Sequence, residues 1–136
     1  MNHYIVLGGP EHLDWFEHFE DDPLSQFFWT VPKDAQVDEV AFVYLTAPVS
    51  RIVGKVLIAG APFYNISQFE NPKTKNKWMA EIKFVGYFEP KAGLTMRGLR
   101  SLFPDWAWLS YPRSATKIPS EIVEPLLELT GSVGLG

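Results

Sequence analysis

The residues most able to do chemistry are scarce. The three histidines are His3, His12 and His18. His12 and His18 stand six apart, so on a helix they do not share a face. That spacing does not suit a two-histidine metal site. Cysteine is absent, which removes a thiolate nucleophile, a disulfide frame and a zinc–thiolate site. Neither a Gly-x-Ser-x-Gly elbow nor a Gly-x-x-x-x-Gly-Lys-Ser/Thr phosphate loop occurs. The carboxylates between Glu11 and Asp22 read as a solvated helix face rather than an acid–base pair. These residues describe a protein that binds rather than one that catalyses, and they imply no metal and no cofactor.

Binding chemistry is better supplied. Trp29, Trp78, Trp106, Trp108 and Tyr111 fall outside simple core periodicity. Lys73, Lys75 and Lys77 precede Trp78, and Trp106 and Trp108 precede Arg113 and Lys117, with Arg97 and Arg100 shortly upstream. Planar side chains stack on nucleobases for about 1–3 kcal/mol each, while Lys and Arg hold the phosphates. Any one of these tryptophans is more often a plug in a core or hinge than a platform for a ligand. The stretch Phe27-Phe28-Trp29-Thr30 poses that choice most sharply, because proline and charge follow it at once.

The charges are unevenly spread. The net charge is −4 over 136 residues, which argues against a nucleic-acid binder. Yet residues 1–40 hold nine acids against Lys33 alone, and residues 73–117 hold nine bases against Glu81, Glu89 and Asp105. A basic face on an acidic protein is what a phosphate backbone requires, although both segments also read as ordinary solvated surface. No apolar run approaches the roughly 18 residues of a membrane helix, and no signal peptide is evident. A cytoplasmic protein without a membrane partner is expected.

The elements that must position these side chains follow from periodicity. His3 to Gly9 reads as a buried strand ended by glycines, and Pro10 to Asp22 as a helix with Leu13, Phe16 and Phe19 in a stripe. Val40–Thr46 and Ile52–Ala59 read as a hairpin, and Trp78–Glu89 as a long strand. Leu94–Pro104 is expected as a short helix with a threonine cap, and 105–120 as an aromatic loop with one short strand. Ser120 then caps a last helix. The fold class is α+β, a small curled and mostly antiparallel sheet, a partial barrel, flanked by about three helices. One domain is expected over 1–130, with 131–136 a linker or disordered tail.

The framework HYIVLGGPE, FFWTV, DEVAFVYLTAPVSRIVGKVLIAGA, WMAEIKFVGYFEP, LRSLFP and PRSATKIPSEIVEPLLEL spans about His3 to Leu129. It resembles the PUA-like superfamily, most closely its EVE and YTH branches, and looks like the N-terminal modules of McrB-type modification-dependent restriction proteins. The resemblance implies a pocket that reads a modified, often methylated, base. It implies Trp29 as one cage wall with Thr30 beside it, Phe84 as the second wall, and Leu102, Trp106 and Trp108 as sources of a third. Tyr44 matches a pocket-lining position. Gly8-Gly9-Pro10-Glu11 stands where EVE proteins carry Lys-Ser-Glu-Pro, leaving backbone groups around Gly9 and Pro10 to meet a base edge. Arg113 and Lys117 match a stretch that approaches phosphates. With Lys73, Lys75, Lys77, Arg97 and Arg100 they form the expected phosphate-binding set. The partner implied is DNA with a modified base, favoured over RNA, together with an ATPase or nuclease effector module. An RNA-binding PUA-like domain, or a small-ligand protein or enzyme using the same pocket, are the alternatives.

Overall fold

Apolar β-formers run from His3 to Leu7 and stop where Gly8, Gly9 and Pro10 break the pattern, which sets the first strand and the turn after it. The computed structural model describes residues 2–18, 27–66, 77–113 and 115–130. In it β1 (His3–Gly8) leads through a 3-10 turn (Pro10–His12) into α1 (Leu13–Glu17). Next come β2 (Phe27–Thr30), β3 (Val40–Leu45), β4 (Arg51–Ile58), β5 (Phe63–Asn65) and β6 (Lys77–Tyr87). A 3-10 turn (Ala92–Leu94), α2 (Met96–Leu102), another 3-10 turn (Ala107–Leu109), β7 (Thr116–Lys117) and α3 (Ser120–Leu129) complete the order.

The seven strands form one sheet in the order β2-β6-β4-β3-β1-β7, with β5 paired to the first residues of β6. β1 and β3 are parallel, and the other pairings are antiparallel. The sheet curls. The Trp29 indole N–H on β2 donates to the Leu7 carbonyl on β1 at 3.0 Å, joining strands from opposite sides of the sheet order. The architecture is the α+β partial barrel expected from the sequence.

Period-two alternation gives the sheet two buried faces. Inside the curl, Val6, Phe16, Trp29, Val43, Val53, Ile82 and Phe84 pack together. Outside it, Ile5, Phe42, Ile52, Leu99, Trp108, Ile118 and Leu126 pack beneath α2, α3 and the 107–109 turn. β3 shows the split plainly: Ala41, Val43 and Leu45 go inward, Phe42 and Tyr44 outward.

Several local expectations need correction. Phe27–Thr30 is a paired strand, although its four residues are too few to show alternation. β5 was also absent from the periodicity reading. The helix expected from Pro10 begins as a 3-10 turn, and its described part ends at Glu17, so Phe19 lies outside the described residues. Ser120 is the first helical residue, not the cap, because the extended Pro119 precedes it and no side chain caps that end. Thr95 does cap α2, its Oγ1 accepting from the Gly98 N–H at 3.0 Å. Residues 131–136, expected as a tail, lie outside the described residues.

Candidate nucleic-acid interface

The inner core ends in a cluster of rings beside the turn after β1. His12 and Trp29 centroids are 4.9 Å apart, His12 and Trp15 4.6 Å, and Trp15 and Phe27 5.2 Å. Phe27 and Phe84 continue the chain at 4.7 Å, and Phe16 contacts both Phe84 and Trp29 edge-on. The backbone makes this possible. The His12 N–H donates to the Gly9 carbonyl at 3.1 Å, turning the chain so that α1 lays Trp15 over the end of the curl. Gly8 leaves room for the rings: a Cβ there would come within 2.5 Å of Trp29 Cζ2 and 2.9 Å of Leu45 Cδ2, so those side chains would have to shift. Glu11 folds its carboxylate over Gly9.

The sequence placed nine residues in one pocket, and the structure separates them. Trp29 and Phe84 share the inner core, linked through Phe16. Trp29 is 5% exposed, so it is a core residue at the rim, while Trp15 is 40% exposed and offers the open ring. Thr30 follows Trp29 on the strand and therefore faces the other way, opposite Met79. Tyr44, Trp106 and Trp108 belong to the outer core beneath the helices, where Trp106 and Trp108 stack at 5.3 Å and Tyr44 meets Trp108 at 5.6 Å. The Trp108 indole N–H is satisfied by the Arg113 carbonyl at 2.9 Å. Leu102, 52% exposed at the end of α2, belongs to neither core. Gly9 and Pro10 begin the turn that follows Gly8, and it is Gly8 that abuts Trp29. A single pocket lined by all nine would have to pass through the sheet.

The expected cations are also distributed. Lys73 and Lys75 lie outside the described residues. Lys77 begins β6, Lys117 lies on β7, and Arg113 follows the 107–109 turn; all three are exposed. Arg97 and Arg100, one turn apart on α2, come together with Val49, Ser50, Thr95 and Met96 around an open groove of about 530 Å³. Arg100 donates to the Leu109 carbonyl at 3.2 Å. Burial pushes the Tyr44 phenol above its ordinary pKa, against the Ser50 hydroxyl and the Arg100 charge, which pull it down.

Sequence reasoning missed His12, Trp15, Glu11 and Arg51. Trp15 carries a signal, since it stands off the Leu13–Phe16 stripe and an amphipathic helix exposes such positions. Arg51 carries none: it is buried, donating to the Phe88 carbonyl at 2.8 Å and to the Tyr87 hydroxyl at 3.1 Å. Among the described residues no group of three His, Asp or Glu side chains is placed to hold a metal. No helix among them is long and apolar enough to cross a membrane.

No protein-family model matches the chain, and no curated protein matches it by sequence. Solved structures do. A hypothetical protein from Leishmania major superposes with a TM-score of 0.73 at 13% identity, over 97% of this chain and 96% of that one. Human THYN1, crystallised in complex with 5-methylcytosine-containing DNA, gives 0.70 at 14% identity over 96% and 98%. The ASCH protein of Zymomonas mobilis gives 0.62 at 14% identity over 94% and 95%. At these identities the likeness is one of fold, and it extends over nearly the whole chain. The chain has the PUA-like fold.

Proposed function

We propose that the chain is a nucleic-acid-binding module that inspects a modified base, methylated DNA being its target, at the aromatic end of the curl. The observation that carries this reading is the half-exposed Trp15 ring, braced by His12, Phe27 and buried Trp29 beside the Gly8–Gly9 turn. A base leaving its stack loses a few kcal/mol. Stacking on such a ring returns about 1–3 kcal/mol. A buried methyl adds about 0.8 kcal/mol. Glu11 supplies the acceptor that an exocyclic amine of cytosine or adenine needs. The presence of methylated DNA in the human THYN1 structure supports this choice of ligand.

On this reading residues 1–130 form the working unit, which acts with an effector such as an ATPase or nuclease in the same protein or in a neighbouring gene's product. The chain is then the targeting part of a cytoplasmic, modification-dependent restriction system, and any catalysis belongs to the effector. The test is a binding screen at fixed salt across oligonucleotides with cytosine, 5-methylcytosine, 5-hydroxymethylcytosine and N6-methyladenine, in DNA and RNA. One modified DNA should bind about 3- to 30-fold more tightly than its unmodified counterpart, and Trp15→Ala should remove most of that difference. Equal binding of all of them would end the reading.

A further inference from the structure

We propose that the groove between the 46–50 turn and α2 is a seat for a single phosphate ester, with the Arg97 and Arg100 guanidinium groups as its ligands. Its composition points to an anion. Two arginines supply donors, the Ser50 hydroxyl being engaged by Tyr44, and no acidic residue lines it. Among the described residues neither guanidinium is paired with a carboxylate. Buried Arg51 adjoins it through its bridge to Thr95, and it too is satisfied by carbonyl and hydroxyl oxygens rather than by a carboxylate. A positive field without a counter-charge is the condition that favours phosphate. The Thr95 hydroxyl is excluded as a ligand, because it already donates to the Ala92 carbonyl and accepts from the Gly98 N–H. Val49 and Met96 give the groove an apolar side that suits a sugar ring.

The placement deepens the base-reading proposal and rests on it for the identity of the occupant. The 46–50 turn touches both places. Its Thr46 N–H donates to the Gly8 carbonyl at 3.0 Å, at the aromatic end, and its Val49 and Ser50 line the groove. A base inspected at Trp15 would have the phosphate of its own or the neighbouring nucleotide carried toward Arg97 and Arg100. The seat therefore takes a backbone phosphodiester beside the inspected base.

The test uses an oligonucleotide with a tetrahydrofuran abasic site, which keeps the phosphates and lacks the base. The 136-residue chain should bind it, and Arg97→Ala/Arg100→Ala should weaken that binding about tenfold. The double variant should also flatten the salt dependence by about one to two units of slope, as loss of one or two phosphate contacts requires. Arg97→Ala alone, which removes no described hydrogen bond, should show a partial loss with an unchanged thermal transition. Deoxyribose 5-phosphate at matched ionic strength should compete for the wild type and not for the double variant. Equal abasic binding by wild type and double variant, with the same salt slope, would overturn the proposal. A chain that does not distinguish modified bases yet depends on both arginines for abasic binding would remove the base reading and leave the seat standing.

Discussion

Glu39 holds a buried carboxylate against three donors: the Tyr4 hydroxyl at 2.7 Å and the backbone N–H groups of Asn2 and Gln36 at 2.7 and 2.8 Å. Burial alone would raise its pKa, but the three hydrogen bonds outweigh burial and hold it below the usual 4.5. A pKa depressed by folding stabilises the fold above pH 4.5, and the contribution is lost as pH falls through the folded value. Glu39→Gln should therefore cost about 1–3 kcal/mol at neutral pH and flatten the acid limb of stability measured by urea unfolding. Tyr4 shows the opposite sign at the other end of the scale. Burial, with Glu39 as hydrogen-bond partner, raises its phenol from 10.0 to about 12, so its contribution persists below pH 10 and fades toward pH 12. At the aromatic end the two tryptophans should separate structure from binding. Trp29→Ala should cost about 3–5 kcal/mol of stability, whereas Trp15→Ala should cost far less, as read from thermal melts. Gly8→Ala should cost about 1–3 kcal/mol through overpacking against Trp29 and Leu45. The sequence distinguished none of these, because a tryptophan before a proline looks alike whether it seals a core or lines its rim.

At the scale of elements, the outlines were legible and the facing was not. The hairpin of β3 and β4 could be read from two apolar runs around a short connection, the length of β6 from alternation, and Thr95 as a cap. Alternation also says that Val43 and Tyr44 lie on opposite faces. It does not say which face closes into the curl and which is covered by helices. That depends on the partner strands and on the α2–α3 packing, which place Tyr44, Trp106 and Trp108 in the outer core, apart from Trp29 and Phe84. The short strands β2 and β5 were missed because their pairing with β6, not their own pattern, makes them strands. On the proposed reading α2 joins stability to binding in one place. Thr95→Ala removes the bond to the Gly98 N–H and should cost about 1 kcal/mol. Because α2 carries Arg97 and Arg100, the same variant should weaken oligonucleotide binding by a few-fold while leaving any base preference intact, a pattern that binding curves on two oligonucleotides would reveal.

For the whole molecule, both cores share β1, β3 and β4, since each strand sends one set of side chains inward and the next outward. The two cores are therefore expected to melt together. Far-ultraviolet circular dichroism and tryptophan fluorescence should therefore report one coincident urea transition, whereas two separated midpoints would show that the faces unfold independently. Among the described residues the basic side of the charge asymmetry is spread over exposed Lys77, Arg113 and Lys117 and the acid-free groove at Arg97 and Arg100, a placement that composition alone does not give. The pairing of β2 with β6 has a consequence for synthesis. Phe27, Phe28 and Trp29 leave the ribosome early, yet their partners are Ala80, Glu81 and Ile82, so the aromatic run has no edge to join until well over half the chain has been made. During that interval a β-prone apolar tetrapeptide is open to other nascent chains. Expression yield should thus be governed by how quickly residues 31–82 are translated, and a slow codon run placed there should send more of the product into inclusion bodies without changing the protein that folds.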